Sequence, residues 1–116
     1  MSRSFLAPLL AVLALAALPA AAQARNCPIA PSESGSFGVT YVLKITATGT
    51  TCGKAKKLVR AFHACRKAHG IQGRCTKKVL GYSCSEQRTT TTTQMSGKVS
   101  CKYGSRRVVH YYSQNI

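Results

Sequence analysis

Acidic residues are almost absent from this chain. Among its 116 residues only Glu33 and Glu86 are acidic, and aspartate and tryptophan do not occur. Without aspartate there is no Ser-His-Asp catalytic triad. No two cysteines have the C-x₂-C spacing that is typical of zinc sites, so we expect no metal site and no cofactor. These absences leave a binding protein as the leading class.

Long hydrophobic runs are also scarce. The single apolar run, from Phe5 to Leu18, is shorter than the about 20 residues that span a bilayer. It follows Arg3 and precedes Ala22-Gln23-Ala24, which together predict a cleavable secretory signal over residues 1–24. The mature protein is therefore expected to be secreted, to begin near Arg25 and to have no transmembrane segment.

Basic residues dominate what remains. Removal of Arg3 leaves 16 lysines and arginines against two acids, a net charge of +14 (16 − 2). Such a charge predicts a polyanionic partner, whether nucleic acid, an envelope polymer or an acidic surface. Three tyrosines near the C-terminus, Tyr103, Tyr111 and Tyr112, add stacking surface beside charge. The candidate anion-binding residues are Lys56, Lys57, Arg60, Lys67, Arg74, Lys77, Lys78, Arg106 and Arg107.

Periodicity predicts one α+β domain over residues 38–116, after an irregular arm over 25–37 that is rich in proline, glycine and serine. The expected architecture is one helix packed on one face of a mainly antiparallel, four-stranded sheet, in the order β-α-β-β-β. The predicted elements are strands over 38–46, 79–84, 98–103 and 106–112, and a helix from Cys52 to about His69 with Thr50 or Thr51 as its N-cap.

Side-chain alternation assigns a buried face to each strand. In the first strand Val39, Tyr41, Leu43 and Ile45 are expected to face the core, with Val42 as an exception. The apolar face is expected to carry Leu80, Tyr82 and Cys84 in the second strand, and Val99, Cys101 and Tyr103 in the third. The threonine run Thr89–Thr93 is interpreted as a hairpin arm, and an O-glycosylated or adhesive surface is the alternative.

Six cysteines in a small exported domain predict three disulfides. Cys65 and Cys75 close a ring of 11 residues, which makes them the favoured pair. Cys84 and Cys101 share the face on which the helix with Cys52 must lie. Cys52 is therefore expected to bond to either, with a slight preference for Cys84, which leaves Cys27 for the other.

Three histidines raise the question of catalysis. A secreted ribonuclease-like hydrolase would use a pair of histidines as acid and base. His63 and His69 lie on opposite sides of the helix, so only His110 with one of them forms such a pair. Histidines on polar faces of a basic domain are usually solvated, so we expect no catalytic residue. A zinc site built from Cys65, Cys75 and these helix histidines is disfavoured by export.

The motifs Gly49-Thr-Thr-Cys52-Gly-Lys-Ala55, Gly81-Tyr-Ser-Cys84 and Val99-Ser-Cys101-Lys-Tyr-Gly104-Ser-Arg-Arg-Val108 resemble a group of small secreted actinobacterial proteins. The resemblance covers about residues 38–112 and implies an exported α+β domain without implying a mechanism. It also implies that Cys52, Cys84 and Cys101 belong to the shared framework and that the Cys65–Cys75 bridge is an addition.

We therefore expect a non-enzymatic, secreted, disulfide-bonded domain that binds an anionic partner at the envelope or outside the cell. The ribonuclease-like hydrolase is one alternative. The other is a protein-binding module, such as a protease inhibitor or an effector, which would present loops such as 46–51 or 86–97 to an unidentified protein.

Overall fold

A computed structural model describes residues 11–13 and 23–116; most of the predicted signal segment lies outside them. The chain forms one helix and a five-stranded antiparallel sheet with the strand order β1-β2-β5-β4-β3. The elements are β1 Arg25–Cys27, β2 Tyr41–Thr48, α1 Cys52–Lys67, β3 Ser83–Thr90, β4 Gln94–Tyr103 and β5 Arg106–Asn115. The predicted α+β class with one helix is confirmed, and the prediction of four strands is wrong.

The additional strand comes from the arm that was predicted to be irregular. β1 pairs with β2, with Asn26 opposite Thr46 and Cys27 opposite Ile45. Only three residues of the arm pair, because Pro28 has no backbone N–H to continue the ladder. A strand this short gives no alternation signal, so the sequence pattern did not reveal it.

A β-bulge in β2 makes the predicted buried face wrong at Tyr41 and Leu43, whereas Val39 and Ile45 are buried as predicted. The register shifts between Val42 and Lys44, and an extra residue at that point exchanges the two faces of the strand. Val42 is consequently buried, whereas Tyr41 and Leu43 are 52% and 65% exposed. The prediction that Tyr41 and Leu43 face the core is therefore wrong, and the supposed exception, Val42, is a core residue.

α1 follows its predicted apolar stripe and begins as expected. The Thr51 side chain accepts a hydrogen bond from the Lys54 backbone N–H at 3.2 Å, which makes Thr51 the N-cap. Ala55, Leu58, Val59 and Phe62 pack against the sheet. The same buried face also carries His63 and Arg66, two polar residues that the sequence pattern did not place in the core.

The C-terminal strands are longer than predicted, and the second predicted strand is displaced. Residues 79–82 form a tight turn with a bridge between Val79 and Tyr82, and β3 begins at Ser83. Leu80, expected on the buried face, has φ 48° and is 59% exposed. The threonine run ends β3 and forms the connection to β4, in agreement with a hairpin arm.

The six cysteines form three disulfides. Cys65 is bonded to Cys75, the pair favoured by ring size. Cys27 is bonded to Cys52, and Cys84 to Cys101. The slight preference for a Cys52–Cys84 bond is wrong, because Cys84 and Cys101 are direct cross-strand neighbours in β3 and β4. The β1 pairing, invisible in the sequence, brings Cys27 to the start of α1.

No helix in the described part of the chain is long and apolar enough to cross a membrane.

Candidate anion-binding surface

One face of the sheet carries α1 and the other is open. Val99 and Cys101 in β4 and Val108 in β5 point towards the helix and are buried. Because side chains alternate along a strand, their neighbours Lys98, Ser100 and Lys102 point the opposite way. We call the face on that side, formed by β2, β3, β4 and β5, the open face.

Strand pairing arranges the open face in rows that run across the sheet. Each row takes one residue from each of β2, β5, β4 and β3, in that order. The rows are Tyr41, Ser113, Ser96 and Thr89; Lys44, Tyr111, Lys98 and Gln87; Thr46, Val109, Ser100 and Ser85; and Thr48, Arg107, Lys102 and Ser83. None of these residues is acidic, and most are hydroxyl, amide or cationic side chains.

Cationic side chains are grouped at two places in these rows. Lys102 in β4 stands directly opposite Arg107 in β5, and like charges in this position destabilise a sheet. In the row nearer the bulge, Tyr111 is flanked by Lys44 on one side and Lys98 on the other. No carboxylate of the open face offsets these four cations, so their repulsion favours an external anion.

Two neighbouring shallow depressions lie on the open face. One depression of about 210 Å³ is lined by serine and glutamine side chains together with Lys98, Lys102 and Arg107. A neighbouring depression of about 330 Å³ includes Leu43, Tyr111 and Lys98. Lys98 belongs to both, so a polar, cationic depression adjoins one that is partly apolar.

The nine predicted anion-binding residues do not converge on this face. Among them, only Arg107 belongs to its rows. Four others have internal partners. Lys56 forms an ion pair with Glu33 at 2.7 Å, and Arg74 lies 3.5 Å from the Glu86 carboxylate. The Arg60 guanidinium lies 4.7 Å from the Phe37 ring centroid, and that of Arg106 lies 5.5 Å from the Tyr103 ring centroid. The remainder lie exposed on α1 and on the loop 70–78: Lys57, Lys67, Lys77 and Lys78.

Three cations of the open face, Lys44, Lys98 and Lys102, were missed at the sequence level. A signal for two of them existed, since Lys98 and Lys102 alternate with Val99 and Cys101, which were assigned to the buried side. Lys44 could not be placed beside Tyr111 without knowledge of the strand order and of the bulge.

A second polar cluster lies on the opposite, helix-covered side. His63 of α1 and His110 of β5 are 0% and 1% exposed, and their Nε2 atoms are 2.9 Å apart. The prediction that the histidines are solvated is therefore wrong for both. Their separation matches the one pairing considered for a hydrolase, but neither ring reaches solvent in this structure.

Hydrogen bonding determines the tautomers of this histidine pair. The Arg66 Nε–H donates to His63 Nδ1 at 3.1 Å, so the proton of neutral His63 is on Nε2, from which it is donated to His110 Nε2. The proton of His110 is then on Nδ1, a buried atom without a hydrogen-bond partner among the described residues. Each imidazole is accommodated in its neutral form.

Burial also lowers the pKa of both imidazoles. Desolvation lowers the pKa of His63 to about 2, with the nearby His110 and Arg66 acting in the same direction. Desolvation, followed by Arg66, lowers the pKa of His110 to about 3. Such depressed values belong to imidazoles that are kept neutral at physiological pH.

Glu86 connects the cluster to three arginines. Its carboxylate lies 2.6 Å from the Arg88 guanidinium, 3.5 Å from that of Arg74 and 4.0 Å from that of Arg66. It also accepts a hydrogen bond from the Tyr112 hydroxyl. Burial and this hydrogen bond raise the pKa of Tyr112 to about 12, so the phenol stays protonated.

The loop 70–78 closes over this cluster. Arg88 donates to the carbonyls of Gln72 and Gly73 at 2.8 and 2.9 Å. Gln114 donates to the Ile71 carbonyl and accepts from Arg66, both at 2.6 Å. The contacts hold the loop against the sheet, so the cluster serves to join the helix, loop and sheet. The described residues contain no group of three or more histidine, cysteine or acidic side chains arranged to hold a metal.

Together these features define a small disulfide-bonded α+β domain with an open, cationic sheet face. Comparison with protein-family models, with curated proteins and with solved structures found no match. The resemblance to secreted actinobacterial proteins therefore stays a prediction, and the function must be argued from the open face.

Proposed function

We propose that this domain is secreted and binds a linear anionic polymer, at the cell envelope or outside the cell, through the open face. The observation that carries the proposal is the cross-strand pair of Lys102 and Arg107 on a face without any carboxylate. Bound phosphates or carboxylates would relieve the repulsion that the fold tolerates there.

The ion pairs of the two acidic side chains support this proposal. Glu33 pairs with Lys56, and Glu86 lies among the three arginines beneath the loop 70–78. Since the mature chain contains no other acidic side chain, the cations of the open face have no internal side-chain counterion. The three disulfides are typical of domains that function in an oxidising compartment.

Binding without catalysis fits the structure better than the hydrolase alternative. The pair His63 and His110 would have to contact a substrate, yet both rings are covered by α1 and the loop 70–78. A protein-binding module that uses residues 46–51 or 86–97 is the remaining alternative. It predicts a complex that survives moderate salt, whereas phosphate contacts weaken steeply.

The test measures the affinity of the disulfide-intact mature domain for inorganic polyphosphate over a range of salt concentrations. Replacing Lys102 and Arg107 with glutamine removes two charges from the open face. We expect the slope of log K against log salt to fall by about 1.4, at roughly 0.7 per released counterion on a single chain.

A matched variant distinguishes a localised site from net charge. Lys57→Gln with Lys77→Gln removes the same two charges from the helix side, where both side chains are exposed. We expect this control to retain most of the wild-type affinity and slope. Equal losses in the two double variants would refute the open face as the site. No retention of the wild type at ~0.05 M salt would refute polyanion binding altogether.

A further inference from the structure

The open face carries apolar surface that charge alone does not explain. Tyr41 is 52% exposed, Leu43 65% and Tyr111 38%, and all three lie at the same end of the face, around the bulge of β2. An anionic polymer without rings would leave these side chains in water. A polymer that carries both phosphates and flat apolar groups would cover them.

We propose that the anionic polymer is a single-stranded nucleic acid whose bases stack on Tyr111 and Tyr41. This inference rests on the proposed function and specifies the partner of the same face. Stacking on exposed aromatic rings beside cations is how sequence-tolerant single-strand binders combine affinity from bases and phosphates.

The arrangement of cations around Tyr111 fits this chemistry. The Lys98 ammonium lies 5.8 Å from the centroid of the Tyr111 ring, and Lys44 is the paired residue on its other side. A base stacked on Tyr111 therefore brings its flanking phosphates close to a lysine on either side. Arg107, with its neighbour Lys102, follows four residues away along β5, about 13 Å at 3.3 Å per residue. A backbone that runs along β5 meets cations at both points.

A single strand fits the surface better than a duplex does. The tyrosine side chains are exposed on the surface of the sheet, and in a duplex the faces of the bases are occupied by their neighbours. Unpaired bases can turn towards aromatic side chains, which is how single strands are usually recognised. The open face also has no protruding helix or ribbon that would enter a major groove.

The experiment compares two polymers that differ only in their bases. Labelled oligothymidylate and an abasic deoxyribose-phosphate oligomer of the same length are titrated with the mature domain at fixed salt. We expect the oligothymidylate to bind at least roughly tenfold more tightly, since each stacked base adds substantially to affinity. A matched duplex is expected to bind no more tightly than the abasic oligomer.

Tyrosine variants locate the effect. Tyr41→Leu with Tyr111→Leu should lower oligothymidylate affinity to near that of the abasic oligomer, and an unchanged far-ultraviolet circular dichroism spectrum shows that the variant is folded. Tyr103→Leu is the control, because Tyr103 is 49% exposed but belongs to the helix side, with its ring 5.5 Å from Tyr82. It should bind both polymers as the wild type does.

Intrinsic fluorescence provides a second readout, since the chain has five tyrosines and no tryptophan. Oligothymidylate should quench tyrosine emission in the wild type and in the Tyr103 variant, but much less in the double variant. Equal binding of the two oligomers by the wild type would overturn base stacking while leaving polyanion binding intact. Tighter binding of the duplex would also overturn it. Binding of neither oligomer, nor of polyphosphate, would refute both proposals.

Discussion

Acidification should destabilise this domain through its buried histidine pair. His63 and His110 have a pKa near 6.5 in an unfolded chain, whereas burial lowers the pKa to about 2 and about 3 in the folded protein. Protons therefore bind preferentially to the unfolded state. The stability that depends on neutral imidazoles is complete above pH 6.5 and is lost progressively as the pH falls towards 3.

The loss of stability at pH 5 depends little on the exact folded pKa values, because both lie well below 5. A histidine with an unfolded pKa of 6.5 that stays neutral in the folded state loses about 2 kcal/mol between pH 8 and pH 5, so the pair loses about 4 kcal/mol. A small domain has a total stability of about 5–15 kcal/mol, so the loss is a large fraction of it. Few acidic side chains complicate the curve, because the chain has only two.

The assay is guanidinium unfolding at pH 8, 7, 6 and 5, followed by far-ultraviolet circular dichroism with the disulfides intact. His110→Gln should roughly halve the pH dependence, because one buried imidazole remains. His69→Gln removes an exposed imidazole and should leave the curve parallel to that of the wild type. A free energy of unfolding that is equal at pH 8 and pH 5 would refute the neutral, buried pair.

Two further predictions concern stability. Glu86→Gln should cost about 3–5 kcal/mol in urea unfolding, because it leaves buried arginine charge without its counterion. Glu33→Gln, at a partly exposed ion pair, should change the stability less, and equal effects would contradict the role of Glu86. Gly97→Ala should lower the free energy of unfolding by about 1–3 kcal/mol, because the new Cβ would overlap the Tyr112 ring. Gly53→Ala in α1, whose new Cβ would meet open space, should leave the free energy of unfolding unchanged or raise it by up to about 1 kcal/mol. A loss of stability as large as that of Gly97→Ala would contradict the steric explanation for Gly97.

The helix and the α+β class could be predicted because they depend on local periodicity. The apolar stripe from Ala55 to Phe62 and the alternation around Val99 are visible in the sequence and are present in the structure. The buried face of β2 was predicted correctly at Ile45 but incorrectly at Tyr41 and Leu43, because a bulge depends on the pairing with β5. One inserted position is enough to exchange the exposed and buried sets of side chains.

The candidate site was predicted only in part, because the type of a residue does not reveal which other residues it contacts in the fold. His63 has the polarity of a surface residue, and its burial depends on Arg66, on His110 and on the loop 70–78. The cations of the open face come from different strands, so only the strand order brings Lys44, Lys98 and Arg107 together. Net charge predicts a polyanionic partner, but it could not indicate which face of the fold collects unpaired cations.

Both faces of this two-layer domain carry cations, which has a consequence for any complex with a polymer. Lys54, Lys57, Lys67, Lys77 and Lys78 are exposed on the helix side, away from the cations of the open face. If the open face binds a polymer as proposed, these lysines stay on the outer side of the complex. The bound molecules would then give the polymer a cationic coat, whose charge is set by the helix side and not by the binding face.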